Sequence, residues 1–207
     1  MKESSESLKN PIAINRYLTI AKEIKPYSKV LDIGCAEAQL LEFLPKCKYI
    51  GIDMRKDMIQ KLKNNGIEAI CLDVSREPLP FKNEFDYVIA GEILEHLIRP
   101  YDFLVQVRKV LKVGGILIGT TPNPYALDKI LNILFKRERK PSDIWFKKYG
   151  HGHVTLFSKE ELQTILTQAG FKVIEISSKC LWIPKLRFIL WPGNHSFGHY
   201  IFFKAMK

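Results

Sequence analysis

A three-layer α/β fold around a mostly parallel sheet is what this sequence predicts, on three observations. First, Lys29 to Leu40 reads K-V-L-D-I-G-C-A-E-A-Q-L. Its apolar, β-branched run through Val30, Leu31 and Ile33 stops at Gly34, where a helical pattern through Ala36, Leu40, Leu41 and Leu44 begins. Second, another apolar run, Tyr49-Ile50-Gly51-Ile52, ends in Asp53. Third, strand-like runs keep alternating with helical periodicity as far as Gly170, a succession that places helices on both faces of parallel strands. The first two observations also carry chemistry. A strand, a small-residue turn and a helix make a loop that a nucleotide cofactor can approach closely, with helix N–H groups facing it. An acid at the tip of the next strand is placed to take vicinal ribose hydroxyls. Together they point to an adenosine-containing cofactor.

A chain of 207 residues fits one domain, here residues 1–207, with room for a small insertion. No apolar run approaches the roughly 20 residues of a membrane helix, and Met1-Lys-Glu-Ser-Ser-Glu-Ser lacks the apolar centre of a signal peptide. A cytoplasmic protein is expected. Cys35, Cys47, Cys71 and Cys180 show no C-x-x-C spacing, and Cys35 and Cys71 fall in core strands or turns, so reduced buried thiols are expected. The net charge of +10 raises RNA or another polyanion as a partner. Only eight of the 32 basic residues are arginine, the better residue for bidentate phosphate recognition. A lysine-rich solvated surface is the reading preferred, and nucleic acid is not favoured.

In chain order, Asn10 to Lys25 is a helix with Pro11 in its first turn, and Pro26-Tyr27-Ser28 turns into the first strand. A helix from Arg55 to Asn64 stops at Asn65-Gly66, and Ile67 to Leu72 is the third strand, followed by Asp73 and Val74. Arg76-Glu-Pro-Leu-Pro-Phe81 leads into the fourth strand, Phe85 to Gly91, and then Glu92-Ile-Leu-Glu-His96-Leu97. After Arg99-Pro100 comes a helix through Phe103, Leu104, Val107 and Leu111, then Lys112-Val-Gly-Gly115 and a fifth strand, Ile116 to Thr121. An excursion from about 123 to 152 follows, with an apolar helix around Leu127 to Phe135 and a basic, aromatic stretch from Lys136 to Lys148. A connection of that length is commonly a lid, and its composition suits an anionic acceptor with an apolar part, or a membrane surface. Ser158-x-x-Glu161 is a capping box opening a helix that ends at Ala169-Gly170. Phe171 to Ser177 is strand six, Trp182 to Gly193 is loop-rich, and Phe197 to Met206 is the final strand.

These segments resemble the class I S-adenosylmethionine-dependent methyltransferases, in particular their small-molecule group. Asp32-Ile-Gly34-Cys35-Ala36-Glu-Ala38 stands where that superfamily has an acid followed by x-Gly-x-Gly-x-Gly, with alanine at two of the three glycines. Leu79-Pro-Phe81, the E-H-L triplet with R-P and L-K-V-G-G, and H-V-T-L-F-S-x-x-E-L…A-G-F match further segments of the group. A dehydrogenase would need G-x-G-x-x-G, and its last glycine position here is Gln39. The resemblance implies seven strands in the order 3-2-1-4-5-7-6 with strand seven antiparallel. It implies S-adenosyl-L-methionine held by Asp32, Gly34, Cys35, Ala36 and Gly91, with Asp53 on the ribose and Met54 against adenine. Asp73 and the Val74 N–H would take the adenine edge, and Arg16 and Tyr17 would stand near the methionine carboxylate.

The implied activity is methyl transfer to an oxygen or nitrogen of a small or medium-sized acceptor. RNA or protein methylation, or non-catalytic binding of the cofactor, are the alternatives. Adenine and glutamine methyltransferases carry Asn/Asp-Pro-Pro-Tyr/Phe after strand four, where this chain has Ala90-Gly91-Glu92-Ile93. Pro122-Asn123-Pro124-Tyr125 follows strand five and reads as a turn. Cytosine C5 chemistry needs a cysteine nucleophile after strand four or five, and none stands there. His153 is the candidate general base. His151, His153, His195 and His199 have no carboxylate cluster beside them in sequence, so no metal is assigned.

Overall fold

Val30, Leu31, Ile33, Ile52, Val88, Ile89, Leu117 and Ile118 are all fully buried, as continuous apolar strands are when helices cover both faces of a sheet. The computed structural model describes residues 10–134, 153–183 and 188–207. Its elements are α1 (Pro11–Ala21), β1 (Lys29–Ile33), β2 (Lys48–Asp53), α2 (Lys56–Asn64), β3 (Ala69–Cys71), β4 (Phe85–Gly91) and α3 (Pro100–Val110). β5 (Leu111–Pro122), α4 (Leu127–Leu134), α5 (Lys159–Gln168), β6 (Lys172–Ile183), β7 (Phe188–Asn194) and β8 (Tyr200–Met206) complete them.

The sheet runs β3-β2-β1-β4-β5-β8-β6-β7. Its first five strands are parallel, and β8 inserts antiparallel between β5 and β6. This is the expected class and order, with the antiparallel insertion supplied by residues 200–206. One strand is additional. Residues 188–194 pair antiparallel with β6 at the sheet edge, where a loop was expected. Pro192 and Gly193 argued against a strand, yet an edge strand tolerates proline because its outward N–H groups have no partner to lose. The final strand begins at Tyr200 and not at Phe197, because His195 to His199 turns with Gly198 N–H donating to the His195 carbonyl at 3.0 Å.

Alternation along β1 sorts the two cores. Val30 joins Ile20 and Ile24, Tyr87, Ile89, Ile118 and Phe202 on one face, under α1. Leu31 and Ile33 join Phe103, Leu104 and Val107 of α3 and Leu162 and Leu166 of α5 on the other. Asn10 caps α1 by accepting from the Ile12 N–H, Pro11 opens that helix, and the Ser158–Glu161 capping box opens α5 as its sequence predicts. The helix expected after Gly34 does not form. Only a 3₁₀ turn, Gln39–Glu42, follows, because Pro45 and the start of β2 at Lys48 leave no length for an α-helix. Of the four cysteines, all free thiols, Cys35 and Cys180 are buried, but Cys71 is exposed because β3 is the sheet's outer strand.

Candidate cofactor and acceptor site

The carboxyl ends of β1, β2 and β4 come together at Asp32, Asp53 and Gly91. Gly34 leaves β1 at φ +77°, a conformation open to glycine at no steric cost, and its N–H and that of Cys35 donate to the Ile52 carbonyl at 2.8 and 2.9 Å. The Ala36 N–H then donates to Asp53 Oδ2 at 3.0 Å. The loop is thus tied to the end of β2, and through it to the acid that the sequence singled out for ribose. A Cβ at Gly34 would meet Ile93 Cδ1 at 3.3 Å, which sets the turn after β4 directly beside this loop.

The two alanines that replace glycine keep glycine's backbone: Ala36 has φ +52° and Ala38 φ +55°. Left-handed geometry costs a residue with a Cβ roughly 1–2 kcal/mol. Glycine in the unfolded chain gives back about 0.4–1 kcal/mol of that through its greater freedom. Ala36→Gly should therefore raise stability by roughly 0.5–1 kcal/mol, seen as a higher urea midpoint at unchanged slope. Ala38→Gly should be close to neutral, because Ala38 buries its methyl. A lower midpoint for Ala36→Gly would show that the strain is not there.

Asp53 is 7% exposed and fully engaged. Its Oδ1 accepts from the Arg55 backbone N–H at 3.0 Å and from Arg55 Nε at 2.9 Å. Its Oδ2 accepts from Arg55 Nη2 and the Ala36 N–H, both at 3.0 Å. Burial alone would raise its pKa, but the Arg55 hydrogen bonds and charge hold it below the ordinary carboxylate value. The sequence reading missed Arg55. The one signal for it was a basic residue two positions after the acid, where a side chain can fold back over the strand tip.

Asp32, 5% exposed, accepts from the Tyr49 hydroxyl at 2.8 Å. Burial pushes its pKa up to about 6 against the lowering effect of that hydrogen bond, with Asp53 adding a further upward push. Met54 is exposed at the rim beyond Asp53. Asp73 caps its own turn, Oδ1 taking the Ser75 N–H at 3.0 Å and the Ser75 hydroxyl at 2.6 Å, with Arg76 Nε 3.4 Å from Oδ2. Val74, beside it, is half-buried. From α1, Arg16 reaches across to Glu92, Nη1 to Oε2 at 3.4 Å, and Tyr17 tilts against Phe43 at 5.5 Å between ring centres. The helix packs on one face of the sheet, and its arginine meets the residue that follows Gly91.

A second group of side chains stands on the other flank. Glu92 has φ +56° and donates its N–H to the Thr120 carbonyl, which holds the turn after β4 against β5. Glu95 is fully buried, and its Oε2 takes the Thr121 hydroxyl at 3.2 Å. Burial, then the charge of Glu92, drives its pKa well above the ordinary carboxylate value. The Val154 and Thr155 N–H groups both donate to the Glu95 carbonyl, at 2.8 and 3.2 Å, and this pins His153 over the same turn. The His96 and His153 rings lie edge to face with centres 5.0 Å apart. Burial, then the positive charge His96 can carry, lowers the His153 pKa. His195 and His199 are not with them: His195 Nδ1 accepts from the Phe197 N–H, and His199 Nδ1 lies 3.6 Å from Asp128. His151 and the basic stretch 136–148 lie outside the described residues.

Comparison with known proteins decides what this cleft belongs to. A family profile described as a methyltransferase domain matches residues 8–176. The chain belongs to that family. This methyltransferase is 29% identical over 213 residues to an uncharacterized protein of Methanocaldococcus jannaschii, covering 93% of this chain and 84% of that one. It is 30% identical over 182 residues to the human mitochondrial ubiquinone biosynthesis O-methyltransferase, covering 83% of this chain but 48% of the human protein. In fold it matches the N-methyltransferase NodS of Bradyrhizobium japonicum, solved with S-adenosyl-L-homocysteine. That match has a TM-score of 0.63 at 18% identity, over 100% of this chain and 93% of that one. The enzyme is an S-adenosylmethionine-dependent methyltransferase of the class I fold. Among the described residues no helix is long and apolar enough to cross a membrane.

Proposed function

We propose that this methyltransferase transfers the methyl group of S-adenosylmethionine to an oxygen or nitrogen of a small or medium-sized acceptor, with oxygen favoured. The observation that carries the reading is the flank built by Glu92, Glu95, His96 and His153, set by Ile93 against the glycine loop. Adenosine belongs to the Asp53 side of that loop, so the acceptor belongs to the Glu95–His153 side. In this placement Asp53 takes the ribose, Met54, Asp73 and Val74 border the adenine, and Arg16, Tyr17, Asp32 and Gly91 surround the amino-acid end. Gly34, Cys35 and Ala36 form the floor. The sulfonium already makes the methyl reactive, so the protein's main tasks are alignment and exclusion of water. The ubiquinone biosynthesis O-methyltransferases, related over 71–84% of this chain, favour oxygen as the accepting atom.

S-adenosyl-L-homocysteine binding by calorimetry, followed by methyl transfer to pooled hydroxylated and amino metabolites and to RNA, tests the proposal. Turnover on a small hydroxylated or amino compound is expected. Turnover on RNA alone would overturn it in favour of the reading that the +10 charge raises. Cofactor binding with no turnover on any acceptor would make the protein a binding module. His153 is the residue placed against the acceptor, so His153→Ala should cut kcat by roughly 10²-fold or more, with homocysteine-product affinity within two-fold of wild type. Equal turnover in the variant would return His153 to a structural role.

A further inference from the structure

We propose that the end of the molecule opposite the cofactor cleft docks on a membrane surface rich in anionic lipid, through a plain of basic side chains and two projecting ones, Tyr27 and Val113. This end is formed where β1, β2 and β4 begin, at Lys29, Lys48 and Phe85, and where α3 finishes. Lys25, Lys46, Lys48, Lys82, Arg108 and Lys109 are exposed on it, and none of the six joins an ion pair among the described residues. Nearby acids are already matched, Glu23 by Lys204, Glu84 by Lys29 and Asp86 by Lys112. Glu68, out at the β3 edge, is exposed.

Hydrogen bonds make these cations one surface. The Tyr27 N–H donates to the Lys46 carbonyl at 2.6 Å, and the Asn83 N–H to the Lys109 carbonyl at 2.9 Å. Asp86 joins the two groups, taking the Lys29 N–H at 2.8 Å and Lys112 Nζ at 2.7 Å. Arg108 and Lys109 lie in the last turn of α3, where cations offset the negative end of the helix. The four lysines lie outside any helix, so that explanation does not extend to them.

Val113, on the turn between Lys112 and Gly114, is 91% exposed, and Tyr27 is 79% exposed. Tyr27 also holds φ +63°, a left-handed conformation that a bulky side chain rarely takes. Glycine or asparagine would fill that turn at less cost, so the strain points to something the ring does outside the fold. Lys46 Nζ stands 5.9 Å from that ring, which places the tyrosine among the cations. Lysine is a hydrated point charge, suited to a diffuse layer of lipid phosphates, whereas nucleic acid favours the bidentate fork of arginine. Tyrosine, an apolar ring with a polar tip, fits the boundary at the headgroups. Each lysine near such a surface strengthens partition roughly five-fold. The cofactor cleft, at the other end of the strands, stays open to water.

Flotation of the full chain with lipid vesicles tests it. Binding is expected to vesicles of equal parts phosphatidylcholine and phosphatidylglycerol, and not to phosphatidylcholine alone. It should vanish in about 1 M salt, where screening shortens to roughly 3 Å. Lys25→Glu, Lys48→Glu and Lys82→Glu combined should weaken it by roughly 10²-fold or more. Tyr27→Asn should weaken it several-fold while the urea midpoint holds or rises, because the backbone strain is relieved. Val113→Ser should weaken vesicle binding and leave binding to heparin, a soluble polyanion, unchanged. S-adenosyl-L-homocysteine affinity, kept in all three variants, shows that they remain folded. No flotation of wild type, or equal flotation of the triple variant, would overturn the docking face. Binding to RNA through these lysines without binding to vesicles would overturn it in favour of nucleic acid. Full flotation of both Tyr27→Asn and Val113→Ser would overturn the part given to the two projecting side chains.

Discussion

Asp53→Ala should weaken S-adenosyl-L-homocysteine binding by roughly 10²-fold, and Arg55→Ala should strengthen it. The first follows from two ribose hydroxyls losing a charged acceptor, with charged hydrogen bonds worth about 1.5–3 kcal/mol each before compensation by water. The second follows from the arrangement around Asp53. A carboxylate has about four lone-pair directions, and here four protein donors already point at its two oxygens. Three of the four belong to Arg55, two of them from its guanidinium, whose side chain is 37% exposed while that of Asp53 is 7% exposed. A ribose can reach the carboxylate only by displacing a donor. The backbone N–H groups of Ala36 and Arg55 cannot leave without breaking the loop, so the guanidinium gives way. Removing a partly exposed ion pair that competes with the ligand should tighten binding by about 1 kcal/mol, roughly five-fold. Calorimetry on the two variants checks both signs. If Asp53→Ala bound as tightly as wild type, the cofactor would not be where the fold places it. If Arg55→Ala bound more weakly, the guanidinium would be a ligand contact and not a competitor.

That competition marks the limit of what the sequence alone can show about this site. The strand-loop-strand frame was legible, because apolar runs ending at Gly34 and Asp53 have few ways to pack, and both ends do meet in the parallel register Asp32–Gly51. The caps at Asn10 and Ser158 were equally legible, being local. The helix after Gly34 was misjudged because four apolar positions fit a helical period while the length available before Pro45 was not weighed. The loop before β8 was misjudged for the opposite reason: proline and glycine were read without knowing that residues 188–194 lie at an edge. Tertiary meetings were invisible. Nothing in the chain says that Glu95 and His153, 58 positions apart, share one turn, or that His195 and His199 go elsewhere. Nor does the sequence show that Ala36 and Ala38 adopt the glycine backbone they would be expected to avoid.

Asp32 gives the last expectation, and its sign is opposite for stability and for binding. Its carboxyl is pushed up to about 6 in the folded protein from an ordinary 3.8, mainly by burial. Between those two values the unfolded chain has released its proton while the folded chain still holds it. The folded state therefore binds more protons, and stability must fall as pH rises through that window. The fall amounts to roughly 3 kcal/mol at about 1.4 kcal/mol per pH unit, complete above pH 6. Asp32→Asn cannot titrate and still offers the Tyr49 hydroxyl an oxygen to donate to. It should match wild type near pH 4 and exceed it by up to about 3 kcal/mol at pH 7.5, read from urea midpoints at the two pH values. A carboxylate kept at such a cost is expected to serve a cation, and the amino-acid end of S-adenosylmethionine carries an ammonium group. The same variant should then bind S-adenosyl-L-homocysteine more weakly, and the wild-type affinity should climb between pH 5 and 7 while that of the variant stays flat. A variant that gained stability with no loss of binding would remove Asp32 from the cofactor site. A variant no more stable at pH 7.5 than wild type would show that its burial carries no such penalty.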